Sequence, residues 1–503
     1  MAGAIKKLAK ETAVYGLSSI LGRVLNWLLV PMYTRILVAT SDYGIVTNLY
    51  GWAALLLIIL TYGMETGFFR FMNKSEEDAD TVYSTILTSV FTTSAIFVAF
   101  IAVFLPSVSG WLGYAEMKDL VLMLAIIVAA DAFSSIPFAY LRYKNRPLRF
   151  AFIKLLFIGL NIGLNLFFLL LAPRLYVTHP ALVDWFYNPD YQVGYIFVSN
   201  LIATGVTLLF LAPCFLKIKY RFNFALLKRI LAYSFPILIL GIAGIFNQTA
   251  DKIIFPFLFD DKVYANEQLG IYGACFKIAL ILVLFVQAFR FAYEPFIFSK
   301  GKSDDANRTY SVAMRYFIIV ALFAFLGVML YLDVFKYFVG EKYYAGLAVV
   351  PIVMLGEVFY GIYYNLSLWY KLSDQTHWGA YFSFFGCFFT VAIIFLLAPT
   401  YGFMACAWAS LVCNFAMMLA SYFVGQKRYP IQYDLRSAGA YFLLTALLYV
   451  LGTRVEISSE IFKYLYKSAL LIVFVLFVVR RGDLPLRQLP LLNKLFRKNE
   501  NSK

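Results

Sequence analysis

Stretches of about 20 mostly apolar residues follow one another along almost the whole chain, broken only by short polar turns. A helix of that length crosses the hydrocarbon core of a bilayer. Lipid offers backbone N–H and C=O groups no hydrogen-bond partner, so such segments must be helical. The chain carries fourteen of them: 12–37, 45–67, 83–105, 119–141, 149–172, 192–216, 230–258, 268–290, 311–332, 346–370, 376–398, 402–425, 437–453 and 461–480. The segments 83–105, 192–216 and 402–425 contain no charge; the last two of the fourteen are short or carry Lys463 and Lys467 near one end. The fold class expected is an all-α polytopic membrane protein of about 14 helices, with twelve spans and a surface hairpin as the alternative.

Four ionisable residues lie deep inside these segments: Arg23, Asp131, Lys277 and Glu357. Each costs roughly 2.5–3.5 kcal/mol if it faces lipid at the bilayer centre. Four together would cancel about as much free energy as holds a whole domain folded. They are therefore expected to line a protein interior or a water-filled chamber, as in a protein that moves something polar across a membrane. Composition agrees: 62% of residues are hydrophobic and 14% charged, against about 25% charged in soluble domains. Aromatics reach 19%, as in helices with interfacial belts. The net charge of +15 gathers in short loops and the tail, where it sets topology and touches anionic headgroups; it is not a nucleic-acid footprint.

Orientation follows from those cations. Loops on the side of the N-terminus carry Lys6, Lys7, Lys10, Arg70, Lys74, the run Arg142 to Arg149, the run Lys217 to Arg229 and the basic tail. They outnumber the cations of the opposite loops by roughly four to one, which places both termini in the cytoplasm. The first segment is too long for the apolar core of a signal peptide and is read as a retained span. A faint repeat is present: Gly44-Ile45 opens the second span and Gly270-Ile271 the eighth, while Ala13-Val14-Tyr15 and Leu231-Ala232-Tyr233 begin the first and seventh. Parallel repeats of this kind imply two six-helix lobes related by an axis along the membrane normal. The expected division is residues 1–220, residues 221–430, two further helices within 431–482, and a basic cytoplasmic tail, 483–503.

Polar residues recur on single faces of several spans. Ser19, Arg23 and Asn26 share one face of the first span, and Lys154, Asn161 and Asn165 share one of the fifth. The seventh carries Gly241, Gly244, Gln248 and Asp251, with Asn247 and Lys252 alongside, and the tenth carries Glu357, Gly361 and Tyr364. This pattern describes a hydrated chamber walled by selected helices. Plainer explanations fit some of the same residues. Lys154 is close enough to a span end to snorkel, Asn161 and Asn165 suit interhelical hydrogen bonds, and Asp251 and Lys252 are placed to join structural pairs. Arg35, Glu65, Arg290 and Arg315 lie near interfaces and are assigned to topology. Pro31 and Pro236 are expected to kink the first and seventh spans, since each removes a backbone hydrogen bond.

Several chemistries find no support. The chain has no G-x-x-x-x-G-K-[ST] phosphate loop and no nucleophile-elbow or metalloprotease motif. Cys214, Cys275, Cys387, Cys406 and Cys413 fall in apolar runs without C-x-x-C spacing, and His179 and His377 are far apart; neither set suggests a metal site. The longest outer loop, 173–191, is short for the external catalytic loop of a membrane-embedded polymerase or ligase.

Tyr15-Gly16-Leu17-Ser18-Ser19, Ser41-Asp42-Tyr43-Gly44-Ile45, Tyr62-Gly63-Met64-Glu65-Thr66 with Phe69-Arg70-Phe71, Leu269-Gly270-Ile271-Tyr272-Gly273 and the segment Tyr364 to Lys371 together resemble the Wzx-type O-antigen and polysaccharide flippases. These belong to the multidrug/oligosaccharidyl-lipid/polysaccharide exporter superfamily. The resemblance covers most of the chain and weakens beyond about residue 435. It implies fourteen helices in two lobes, alternating access, and a cargo of undecaprenyl-diphosphate-linked oligosaccharide moved to the periplasmic leaflet of the bacterial inner membrane. It implies a transporter rather than an enzyme, in contact with membrane lipid and working beside other polysaccharide assembly proteins. Such a headgroup needs cations within the membrane, for which Arg23 and Lys277 are the first candidates and Lys154 and Lys252 the second. Asn26, Asn161, Asn165, Asn247, Gln248 and Tyr364 suit sugar hydroxyls. Asp131, Asp251 and Glu357 are candidates for proton or sodium coupling, and no further cofactor is called for. A lipid II flippase and a multidrug/cation antiporter of the same superfamily remain alternatives.

Overall fold

The computed structural model describes residues 21–74, 77–300, 304–373 and 375–482. Among these described residues thirteen helical segments are long and apolar enough to cross a membrane, from Thr40–Asn73 to Glu460–Arg480. Each overlaps one of the expected spans. The remaining expected span, 12–37, lies partly outside the described residues, as do Ser19 and the tail 483–503; its described part is two short helices, α1 (21–27) and α2 (Val30–Ile36).

Proline explains that division. Pro31 occupies the first turn of α2, where its missing N–H is an orphan in any case. Pro236, by contrast, sits inside α11 (Phe224–Ile254), which runs on through it. The two prolines therefore act differently: one starts a helix after a break, and the other is absorbed by a long one. A second break separates α3 (Thr40–Thr61) from α4 (Met64–Lys74), where Tyr62 and Gly63 turn left-handed at φ 31° and 74°. Gly63 packs so closely that an added Cβ would meet the Ser234 carbonyl at 2.8 Å, so a side chain is excluded on two counts.

Two compact units emerge. The first comprises residues 1–277, 339–349 and 379–413. In it α7 (Lys118–Tyr143) packs against α3, α5 (Ala79–Val103) and α10 (Gln192–Leu216), α10 also covers α8 (Pro147–Leu166), and α11 lies along α3 and α4. Met64, Phe68, Tyr83, Ile86, Ile136 and Ile230 form one buried core among α4, α5, α7 and α11. Tyr83 is fully buried, donates to the Cys214 carbonyl at 3.0 Å and stacks on Tyr140.

The start of α12 (Lys262–Lys300) crosses α3 at backbone contact. A Cβ on Gly44 would overlap the carbonyl oxygen of Asn266, and one on Gly270 would overlap that of Thr40. The repeat places 44 on 270, and by the same offset 40 on 266, so these two contacts are each other's images. The offset also places 47 on 273, and a Cβ on Gly273 would stand 2.5 Å from Thr47 Oγ1. Reciprocal contacts between matching residues mark a two-fold interface. The crossing is capped by Tyr114, whose hydroxyl donates to Asn48 Oδ1 (2.9 Å) and Asn266 Oδ1 (3.3 Å).

The second unit comprises residues 278–338, 350–378 and 414–503. Here α13 (Asp304–Leu330) packs against α19 (Leu435–Arg454) and α20 (Glu460–Arg480). Asp333 lies 2.6 Å from Lys463 Nζ and 2.9 Å from Lys467 Nζ, pinning α20 to the end of α13. Burial alone would push the Asp333 carboxyl up, but the two ammonium groups outweigh it and hold it below the usual carboxylate range. Asp434 caps α19 by accepting from Ser437 N at 3.0 Å and lies 3.7 Å from Arg315. That capping bond, helped by Arg315, likewise keeps it low.

The crossing of α3 and α12 yields a direct test. Gly270→Ala forces two backbones apart and is expected to cost about 1–3 kcal/mol, as overpacking does, read as a lower melting temperature of the purified protein. Gly244→Ala, where a Cβ meets nothing within 4 Å, should leave melting unchanged or raise it slightly.

Candidate functional site

In the first unit the polar face of α1 meets α8. Gly22 lets the helices approach, since a Cβ there would stand 2.7 Å from Ile158 Cδ1. Asn26 accepts a hydrogen bond from Asn161 Nδ2 at 3.5 Å, Asn165 Nδ2 donates to the Asn161 carbonyl at 2.7 Å, and Tyr33 donates to Asn165 Oδ1 at 2.9 Å. Asn161 and Asn165 are buried. The three asparagines expected on two separate spans are thus one hydrogen-bonded chain, and Tyr33, absent from the sequence candidates, closes it.

Arg23 is exposed on α1, on the same side as Asn26. One turn further on, Trp27 donates its indole N–H to the carbonyl of Lys277 at 2.6 Å. This bond sets the Arg23 helix against the turn of α12 that carries Lys277. Lys277 is half-buried and close enough to Lys252 for the two ammonium groups to repel. The structure therefore brings Lys277 and Lys252 together, with Arg23 one helical turn from the tryptophan that binds the Lys277 carbonyl.

Lys252 is not free within it. Its ammonium lies 2.9 Å from Asp251 Oδ2 and 3.1 Å from the Gln248 carbonyl, and 4.4 Å from the ring centroid of Phe276. Asp251 is buried and also accepts from Tyr272 at 2.6 Å, while Asn48 binds the Lys252 carbonyl at 2.7 Å. Asn247 donates to the Ser383 carbonyl at 2.8 Å, tying α11 to α17 (His377–Tyr401), and Gln248 is exposed. Tyr272 and Asn48 were not among the residues that the sequence singled out for the chamber.

Lys154 and Asp131 form a separate group. They attract one another across α8 and α7, with no ion pair within 4.0 Å among the described residues, and Lys154 Nζ lies 4.1 Å from the Phe138 ring centroid. Tyr50 lies in the field of Asp131 and accepts from Asn200 Nδ2 at 3.0 Å. It is also near Tyr33, which closes the asparagine chain. Glu65, assigned to topology, is ion-paired with Arg142.

Glu357 and Tyr364 belong to the second unit, on α15 (Val349–Leu366). Gly361 admits Phe317 of α13 where any Cβ would overlap its ring. Tyr364 is buried and carries cations on its ring: Arg290 at 4.2 Å and Lys371 at 4.3 Å from the centroid. Lys371 also donates to its hydroxyl at 3.2 Å. An apolar cavity of about 560 Å³ lies between α13, α15, α18 (Met404–Arg428) and α19, bordered by Ser311, Arg315 and Asp434. Among the described residues no cluster of three His, Cys, Asp or Glu is placed to hold a metal ion.

The model of the polysaccharide biosynthesis protein family matches residues 8–300 of the chain, more than half of its length. The chain belongs to that family. No curated protein matches it. Its fold is that of solved flippases and transporters. A lipid II flippase, MurJ, in an inward closed conformation matches with a TM-score of 0.71 at 14% identity, over 92% of this chain and 98% of that one. An inward-facing multidrug resistance MATE family transporter of the MOP superfamily matches with a TM-score of 0.64 at 13% identity, over 81% of this chain and 94% of the other. The polysaccharide family and the all-helical membrane fold expected from the sequence are thus both present.

The buried pair supplies a second test. Asp251→Ala strands Lys252 beside Tyr272 and is expected to destabilise by about 3–5 kcal/mol, seen as a lowered melting temperature. Adding Lys252→Met should restore most of the loss, because the orphaned charge is then gone.

Proposed function

We propose that this protein is a flippase for an undecaprenyl-diphosphate-linked oligosaccharide, such as an O-antigen, capsule or exopolysaccharide repeat unit. It moves the carrier from the cytoplasmic to the periplasmic leaflet of the bacterial inner membrane, with both termini in the cytoplasm. The observation that supports the proposal is the Trp27–Lys277 bond, which sets the helix bearing Arg23 against the turn bearing Lys277, itself near Lys252, in a protein whose family concerns polysaccharides. A cation about 4 Å from one phosphate charge gains roughly 4 kcal/mol at an effective dielectric near 20, before desolvation. In this scheme lobes of residues 1–220 and 221–430 alternate access to a cationic chamber, with the helices of 431–482 and the tail 483–503 appended. The lipid tail stays in the bilayer while the headgroup crosses.

Of the cations, Arg23 and Lys277 are assigned to the diphosphate. Lys252 is held by Asp251 and contributes field rather than a free ligand, and Lys154 acts with Asp131. Asn26, Asn161, Asn165, Asn247, Gln248 and Tyr364 are assigned to sugar hydroxyls or to the walls that present them. Asp131, Asp251 and Glu357 are assigned to coupling: a carboxylate away from water exchanges a proton or binds sodium as access alternates. Of these, Asp251 is engaged by Lys252 and Tyr272. The likeness to MurJ favours a second reading, in which the cargo is lipid II. A cationic drug suits the Arg23–Lys277 neighbourhood poorly, which argues against antiport of the MATE type.

Arg23→Ala or Lys277→Ala is expected to abolish surface polysaccharide at unchanged protein level; full surface glycan in both variants removes the cationic path. Deleting the gene distinguishes the cargoes by whether a lipid-linked oligosaccharide or lipid II accumulates. For coupling, Glu357→Gln should make transport in vesicles insensitive to an imposed proton or sodium gradient, and an unchanged gradient dependence would retire that role.

A further inference from the structure

We propose that Arg290 and Lys371, gathered on the ring of Tyr364, form a docking site for the diphosphate headgroup of the lipid carrier at the membrane surface, before it crosses. This rests on the reading that the cargo is diphosphate-linked, and it adds a site that sequence reasoning had given to topology.

Depth is the first argument. Lys371 is next to last in the span Glu341–Leu372, and Arg290 lies on α12 ten residues before that helix ends at Lys300. Their shared contact with Tyr364 places Arg290 beside the span end that carries Lys371. A polyprenyl diphosphate resting in its leaflet keeps its phosphates at headgroup level, because charge is expelled from hydrocarbon. A site that meets the carrier first must therefore lie at a span end, where this pair is found, and not at the middle, where Lys277 is.

Chemistry is the second. Both cationic centres lie within 4.3 Å of one ring centroid, so their separation is comparable with the Debye length of about 8 Å at physiological salt and each feels the other's charge. Arg290 makes no ion pair within 4.0 Å and no hydrogen bond to the protein among the described residues; its contact is the tyrosine ring. A guanidinium carried on an aromatic face keeps its planar fork of N–H donors for a bidentate partner, and phosphate fits that geometry. Tyr364 is itself fixed, being 7% exposed and hydrogen-bonded to Lys371. A phosphate taken by the Arg290 fork would also lie in the field of the Lys371 ammonium.

The test uses the full-length protein in lipid nanodiscs and titrates farnesyl diphosphate, farnesol and inorganic pyrophosphate. Wild type is expected to bind farnesyl diphosphate about tenfold or more tighter than farnesol, the scale of one charge-assisted hydrogen bond, and tighter than pyrophosphate. Arg290→Gln and Lys371→Gln should each remove most of that preference at unchanged melting temperature and unchanged farnesol binding, with Arg290→Lys intermediate. If one glutamine variant fails to fold, the other decides. A wild-type protein with no diphosphate preference defeats both the carrier reading and this site. A preference that survives in both glutamine variants defeats the site and leaves the carrier reading standing. Pyrophosphate binding as tight as farnesyl diphosphate overturns docking of a lipid, since the site would then serve a soluble anion.

Discussion

A polar atom inside a bilayer has no water to turn to, and that constraint organises this molecule. Side-chain hydrogen bonds here do more than decorate helices: they determine which helices meet. Asn26, Asn161, Asn165 and Tyr33 form a chain that fastens α1 and α2 to α8. Tyr272, Asp251 and Lys252 satisfy one another between α11 and α12, and Asn48 adds α3 by binding the Lys252 carbonyl. Interhelical bonds of this kind average about 0.6 kcal/mol in membranes. Their larger effect is on specificity, because a wrong helix rotation would leave the same atoms unpaired in hydrocarbon.

Close packing supplies the second constraint. Without water to squeeze helices together, association in lipid favours small residues that let backbones touch. Gly44 and Gly270 do so reciprocally, Gly44 against Asn266 and Gly270 against its equivalent, Thr40. A weak sequence repeat thereby becomes a physical object, since matching residues of two copies can meet only where a two-fold relation brings them together. The same packing lays the α12 turn bearing Lys277 beside α1, where Trp27 holds it. The α3–α12 crossing and the placing of Lys277 beside α1 thus share one origin.

Legibility divided by the range of the interaction. Thirteen expected spans coincide with helices to within a few residues, because crossing a bilayer is a property of a local window of sequence. The i, i+4 spacing of Asn161 and Asn165 placed them on one face, where they are found. Spacing could not say what faced them, so Tyr33 was missed, and Asp251 and Lys252 stood among the cavity candidates although they bind each other. Arg290 looked like a topological charge at a span end. Only the approach of α15, which sets Tyr364 beneath it, reveals a cation mounted on an aromatic ring beside a second one.

By itself, then, the order of residues determined how many helices could span lipid, where proline and glycine interrupt them, and which charges needed shelter. Those outcomes follow from hydrophobic length and backbone geometry, which act within a turn or two. Which charge shelters beside which partner was decided only by tertiary structure. Helix rotation and crossing depend on contacts between residues more than 100 positions apart, such as Trp27 with Lys277 and Asn48 with Lys252, and no local pattern encodes them.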